Sequence, residues 1–176
     1  MFRTFALLAL ACLATTVHAG EFALHVDGAD AQGRLAQRYS YDRFGCTGAN
    51  LAPALHWSAP PTGTRSFAIT VFDPDAPTGS GFWHWVAIDL PPSARGLPEG
   101  GTLPAPARAI RNDYGEKAWG GPCPPAGDPP HHYVFTVYAL DVPALGAPAD
   151  ASPALTGFML HSHVVGKAQQ TLTFGR

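Results

Sequence analysis

Phe72–Leu90, FDPDAPTGSGFWHWVAIDL, is the stretch that decides the fold. It follows Ser66–Val71, an alternating run that reads as a strand. It breaks at Asp73-Pro74-Asp75-Ala76-Pro77, turns through Thr78-Gly79-Ser80-Gly81, and resumes as a second strand-like run over Trp83–Leu90. Two carboxylates therefore stand where one strand ends, and His84 stands where the next begins. A turn between antiparallel strands brings its two ends together. The expectation is that Asp73, Asp75 and His84 share one pocket mouth.

Outward from this hairpin the chain reads as mainly β. Glu21–Val26 alternates Phe22, Leu24 and Val26 as a first strand, and Ala54–Trp57 is a short one. In Ser66–Phe72 both faces carry apolar groups, which predicts a central strand with Val86-Ala87-Ile88 in its neighbour. Pro91–Pro130 is rich in Gly and Pro. Within it only Ala107–Arg111 has strand character, and a loop of such length is often functional. His132–Leu140, HYVFTVYAL, is the strongest strand signal in the chain. Ser152-Pro153 reads as a helix N-cap followed by a first-turn proline. Leu155, Phe158, Met159, Ser162 and Val165 then keep helical spacing, predicting a helix over Pro153–Val164 and a last strand over Gln169–Phe174.

Composition bounds the reading. The 176 residues are 46% hydrophobic and 14% charged, against roughly a quarter charged in a typical domain. That length suggests one domain. The formal net charge of −2 gives no broad attraction to nucleic acid or anionic membrane. Nineteen glycines and eighteen prolines favour short strands joined by shaped loops. Residues 1–19 have the form of a secretory signal peptide. Met1-Phe2-Arg3 is a positive start, Phe5–Ala14 an apolar run too short to span a membrane, and Val17-His18-Ala19 a small-residue cleavage site. Cleavage after Ala19 would leave residues 20–176 as a periplasmic or secreted single-domain chain with no stable membrane insertion. A lipoprotein signal ending at Cys12 is the weaker alternative, since Ala9-Leu10-Ala11-Cys12 only loosely has the required form. Two cysteines then remain, Cys46 and Cys123. Both lie in Gly-rich loops, which favours a disulfide in an oxidising compartment over two separate buried thiols.

A second motif is Gly120–Tyr133, GGPCPPAGDPPHHY. Its prolines fix φ and its glycines let backbone amides approach a ligand. It too ends with histidine at a strand entrance, His131-His132. If the two strands are near neighbours, His84 and His131 face one cavity, while His132 points to the other side of its strand. Two imidazoles, two carboxylates and loop amides suit a small anion. The carboxylates would accept from the far ring nitrogens and raise the histidine pKa values, with Trp83, Trp85, Trp119 and Tyr133 as walls. Asp73 and Asp75 also have a plainer reading as turn formers. No metal or other cofactor is implied: a facial triad of two histidines and a carboxylate has no further ligand motif to support it. Acyl transfer lacks a GxSxG elbow, and phosphoryl transfer lacks a Walker loop.

DPDAPTGSGFWHWV and GPCPPAGDPPHHYVFTVYALD resemble the two signature regions of the phosphatidylethanolamine-binding protein family, also called Raf-kinase-inhibitor-like proteins. Cys46–Trp57, CTGANLAPALHW, resembles a third element typical of the bacterial branch. The resemblance implies a large antiparallel sheet packed on a smaller one, with peripheral helices. It implies a cavity for an anion, a phosphate group or a phospholipid headgroup. Asp73, His84 and His131 match the pocket residues. Asp75 and Tyr133 fall in the same motifs, and Pro124 and Pro125 match a loop walling the cavity. The cysteine pair resembles that of exported bacterial members. The chain departs from the eukaryotic pattern in carrying a single histidine before Trp85, and Ala52 stands where bacterial relatives commonly carry serine. The expected function is non-enzymatic binding of a small anion or phosphorylated ligand. The alternatives are inhibition of a protease or kinase partner through surface loops, and phosphoester hydrolysis using His84 or His131.

Overall fold

The computed structural model describes residues 21–176; the signal-peptide and Cys12 readings lie outside the described residues. In chain order the elements are β1 (Ala23–Val26), β2 (Leu55–Ser58), β3 (Ser66–Asp73), β4 (Phe82–Leu90), β5 (Gly96–Leu97), β6 (Arg108–Ala109), β7 (His131–Leu140), α1 (Pro153–His161) and β8 (Val164–Phe174). They form a three-stranded sheet, β1-β2-β5, and a five-stranded sheet, β6-β4-β3-β7-β8. All pairings between these strands are antiparallel. The expected architecture of a larger antiparallel sheet on a smaller one, with a C-terminal helix, is the one observed.

Period-two alternation assigns the faces of the large sheet. Phe67, Ile69 and Val71 of β3, with Phe135, Val137 and Ala139 of β7, pack against Val26, Leu55, Trp57 and Leu97 of the small sheet. The opposite face carries Ala68, Val86 and Ile88, and is covered by Leu145, Ala147, Ala151 and Leu160. The central strand is therefore buried on both faces, as its continuous apolar run predicts.

Most strand ends differ from the sequence reading by one or two residues, and the largest differences lie near the C-terminus. Helix α1 stops at His161, and β8 begins at Val164 rather than Gln169. Val164 pairs with Leu140 of β7, and two adjacent β-branched valines favour the sheet over another helical turn. The helix buries Pro153, Thr156 and Leu160, leaving Leu155 and Phe158 exposed. Its cap is as read: the Ser152 side chain accepts from Leu155 N at 3.1 Å. Strand β5 was not legible, because two residues, one of them glycine, carry no periodicity.

The β3–β4 hairpin departs from ideal alternation at one decisive place. Val71 pairs with Trp85 and Phe72 with Trp83, which leaves His84 as an extra residue on β4. Such a bulge re-aims side chains. Trp83 and Trp85, two apart, accordingly lie on opposite faces. Trp85 joins the core under the small sheet, and Trp83 packs on Phe72 with ring centroids 4.5 Å apart. Gly81 returns the chain into β4 at φ +74°, where a Cβ would lie 2.2 Å from Phe72 Cζ and 2.8 Å from Asp73 O. Cys46 and Cys123 are bonded, closing a loop across 77 positions.

Gly81→Ala should therefore cost more than about 1 kcal/mol, read as a lower Tm; an unchanged Tm would mean the turn relaxes freely. Replacing both cysteines by serine should cost about 2–4 kcal/mol, measured by denaturant unfolding against the oxidised protein.

Candidate functional site

The ends of β3, β4 and β7 lie side by side, since β3 is flanked by the other two. Asp73 closes β3, the bulged His84 sits near the start of β4, and His131 opens β7. All three line a single cavity of about 340 Å³. The Asp73 carboxylate holds its own turn and its neighbour together. Oδ1 accepts from Asp75 N at 2.8 Å and Ala76 N at 3.1 Å, and Oδ2 accepts from His131 Nδ1 at 2.8 Å. Asp73 and His131 are 3% and 4% exposed, so this pair is shielded from solvent.

His84 is oriented differently from the expectation that carboxylates would hold both rings. Its Nδ1 is 2.7 Å from Gly120 O, while Gly120 N donates to His84 O at 3.0 Å. A carbonyl only accepts, so Nδ1 carries the hydrogen. Burial pushes the His84 pKa down to about 4, against smaller opposing effects from the Gly120 carbonyl and Asp73. The expected upward shift is thus reversed for His84: desolvation of the charged ring outweighs its distant acids.

The Gly120-Gly121 loop fits because neither residue has a side chain. A Cβ on Gly120 would lie 2.3 Å from Tyr114 Cδ2, and one on Gly121 would lie 2.2 Å from Tyr39 O. Two asparagines fix it. Asn112 Nδ2 donates to His84 O and Ala118 O, and Asn50 Oδ1 accepts from Gly121 N at 2.8 Å. Sequence reasoning missed Asn112, which stands in the polar run Arg111–Lys117 with no local pattern to single it out.

The cavity walls are also reassigned. Phe44, Phe82 and Tyr114 line it, with Ala76-Pro77-Thr78, Asp113, and Cys123-Pro124-Pro125 completing the boundary. Tyr114 stacks on Tyr41 at 4.0 Å and meets Phe82 edge-on at 4.7 Å. Trp85 and Trp119 belong instead to the core beneath, and Trp83 packs on the far face.

Two candidate residues do not reach the cavity. Asp75 Oδ2 accepts from His132 N at 2.7 Å and from His132 Nδ1 at 2.8 Å. It fastens the turn to β7, and those bonds lower its pKa. Tyr133 is fully buried behind the lining, its ring edge-on to His84 at 5.1 Å. Its hydroxyl has no hydrogen-bond partner among the described residues. Burial, reinforced by the nearby Asp73 carboxylate, pushes its pKa up, so it stays a phenol. The Pro124 wall is braced from outside by Arg176, whose guanidinium donates to Pro124 O at 2.6 Å and Gly45 O at 2.7 Å.

Comparison with known proteins agrees with this architecture. The phosphatidylethanolamine-binding protein family model matches residues 26–175. The chain is 44% identical over 144 residues to UPF0098 protein YbcL of Escherichia coli, covering 78% of this chain and 79% of that one. It is 39% identical over 132 residues to the putative lipoprotein LppC of Mycobacterium tuberculosis, covering 75% and 64%. The crystal structure of E. coli YbcL, described as a new member of the mammalian PEBP family, superposes with a TM-score of 0.85 at 41% identity, covering 89% of this chain and 99% of that one. A putative homologue from Chlamydia trachomatis, CT736, superposes with a TM-score of 0.76 at 27% identity, covering 88% and 97%. With its two sheets, its sheet-end cavity and a match over nearly the whole described region, the chain belongs to the phosphatidylethanolamine-binding protein family.

Proposed function

We propose that this protein holds a phosphate-bearing small molecule, either free phosphate or a phospholipid-type headgroup, in the cavity over His84 and His131, without turning it over. One observation carries the reading: two histidines from different strands line the same cavity, each with Nδ1 already bonded to the protein. Each ring is therefore fixed in orientation and keeps only Nε2 for a ligand. The name shared by the family points to a phosphate-containing headgroup, which fits the cavity's volume.

Binding rather than turnover is supported by what the polar groups are doing. Asp73 is occupied with two backbone amides and His131, and the Thr78 hydroxyl donates to Gly81 O at 2.5 Å. Such commitments hold the loops in place and leave no activated nucleophile among the described lining residues. The aromatic lining suits an apolar substituent beside the phosphate. An extracytoplasmic location is supported by the disulfide, by the lipoprotein relative and by the form of residues 1–19.

Titration calorimetry with inorganic phosphate and with phosphoethanolamine tests this reading. His84→Ala and His131→Ala should each weaken binding about tenfold or more, the worth of one hydrogen bond to a charged group, with unchanged far-UV circular dichroism. Wild-type affinity in both folded variants would remove the cavity from the function. Release of phosphate from a phosphomonoester, lost in either variant, would replace binding by hydrolysis.

A further inference from the structure

We infer that Phe44 is a specificity-determining residue: its ring receives the uncharged organic arm of a phosphoester at the cavity mouth, so the site prefers a phosphate group that carries an apolar arm to the same group without one. The inference rests on the proposed phosphate site and concerns the part of the ligand beyond the phosphate.

The backbone carries the first observation. Cys46 N donates to Arg43 O at 3.0 Å, and the two residues between them, Phe44 and Gly45, have φ of 55° and 77°. A hydrogen-bonded turn with positive φ at both central positions is of the I′ kind, which favours Asn-Gly, Asp-Gly or Gly-Gly there. Gly45 meets that demand. A phenylalanine in the left-handed region is uncommon, and Phe44 does not recover the cost by burial, because it is 74% exposed. Its ring lies 5.9 Å from Tyr41 and 6.0 Å from Tyr114, nearly parallel to both, with most of its surface left to solvent. A single exposed phenylalanine needs no explanation. One that also strains its turn and lines a cavity points to a contact made there.

Depth orders the cavity. His84 and His131 are buried, whereas Phe44, Pro77 and Pro125 line the same cavity and are exposed. The imidazoles therefore stand at the inner end. The three apolar groups form the rim, and they come from three separate loops: before β2, between β3 and β4, and before β7. A phosphate of five heavy atoms needs on the order of 100 Å³, on a scale of about 30 Å³ for one water. The cavity holds about 340 Å³, which leaves room for an arm. Among the described residues no lysine or arginine lines it, and the carboxylate at the rim, Asp113, accepts from Trp83 N at 2.7 Å. A second anionic group would find no counter-charge there. An uncharged arm would find Phe44, Phe82 and the prolines, against which its burial is favourable. The ring is also set before binding. Cys46 is tied to Cys123, and the Arg176 guanidinium donates to Gly45 O at 2.7 Å. A fixed aromatic group adds contact area at low ordering cost.

Calorimetry on the purified, oxidised protein compares each arm-bearing ligand with its armless counterpart: phenyl phosphate with inorganic phosphate, and monomeric dihexanoyl phosphatidylethanolamine with phosphoethanolamine. In the wild type at least one arm should tighten binding about tenfold or more, the worth of burying roughly two methylene groups. In Phe44→Asn that ratio should shrink about tenfold, while Tm rises by about 2 °C because Asn-Gly suits the turn. Phe44→Tyr, which keeps the ring, should keep the ratio. A larger gain from the acyl arm would assign the ligand to a lipid, and a larger gain from the phenyl arm to a soluble phosphoester; both support the inference. No gain from either arm in the wild type, or a ratio in Phe44→Asn within twofold of wild type, would overturn it while leaving the phosphate site standing. A lower Tm alongside that unchanged ratio would assign the ring to packing alone. If none of the four ligands binds, the site reading fails and this inference with it.

Discussion

The Asp73 carboxylate is the interaction on which the site depends. It sits at the last residue of a central strand, almost without solvent, and accepts three hydrogen bonds. Two come from the backbone of its own turn and one from a ring on the next strand. A buried carboxylate is costly unless its acceptor sites are filled. Here the filling groups are the very parts that must be positioned: the turn that becomes one cavity wall and the His131 ring. A second carboxylate, Asp75, repeats the device at the surface by fastening the same turn to His132. The turn is thereby joined to β7 twice, with the inner bond shielded and the outer one exposed.

The bulge in β4 supplies what Asp73 cannot. Strict alternation would send His84 to the same face as Val86, away from His131. One unpaired residue opposite Val71 turns it to the face shared with Tyr133. The reciprocal bonds between His84 and Gly120 then hold the ring from the opposite side. The two histidines are fixed by different partners, a carboxylate and a carbonyl, and this asymmetry sets their chemistry. The ring against the carbonyl is deeply desolvated and neutral, and the ring against the carboxylate has a counter-charge within hydrogen-bond distance.

Much of this was legible from the chain. The alternation in Ser66–Phe72 and His132–Leu140 located the central strands, and the DPDAP turn with the HHY entrance located Asp73, His84 and His131. What escaped has physical reasons. A bulge is a single-residue departure from periodicity, so Trp83 and Trp85 looked like neighbours of His84 on equal terms, and the wall was assigned to them. The actual wall residues, Phe44 and Tyr114, come from loops whose convergence depends on the Cys46–Cys123 bond and on Asn112, and none of these distances is encoded in local pattern. The histidine charge was misjudged because sequence shows which acids are near but not how much water is removed. For His84 the desolvation dominates.

That balance between charge and burial explains why the lining is so poor in permanent cations. A lysine or arginine here would bind any oxyanion strongly, but would need a pairing acid in a dry, aromatic-walled space, and such pairs are costly when the ligand is absent. The buried His84 ring, with its Nδ1–H fixed on Gly120 O, avoids that cost. The Asp73 carboxylate can then stay buried in both conditions, because its three donors belong to the protein and not to the ligand. The turn, the ring of His131 and the strand ends are therefore in place before anything binds. A ligand that enters such a site meets groups already in position, which lowers the ordering cost of binding.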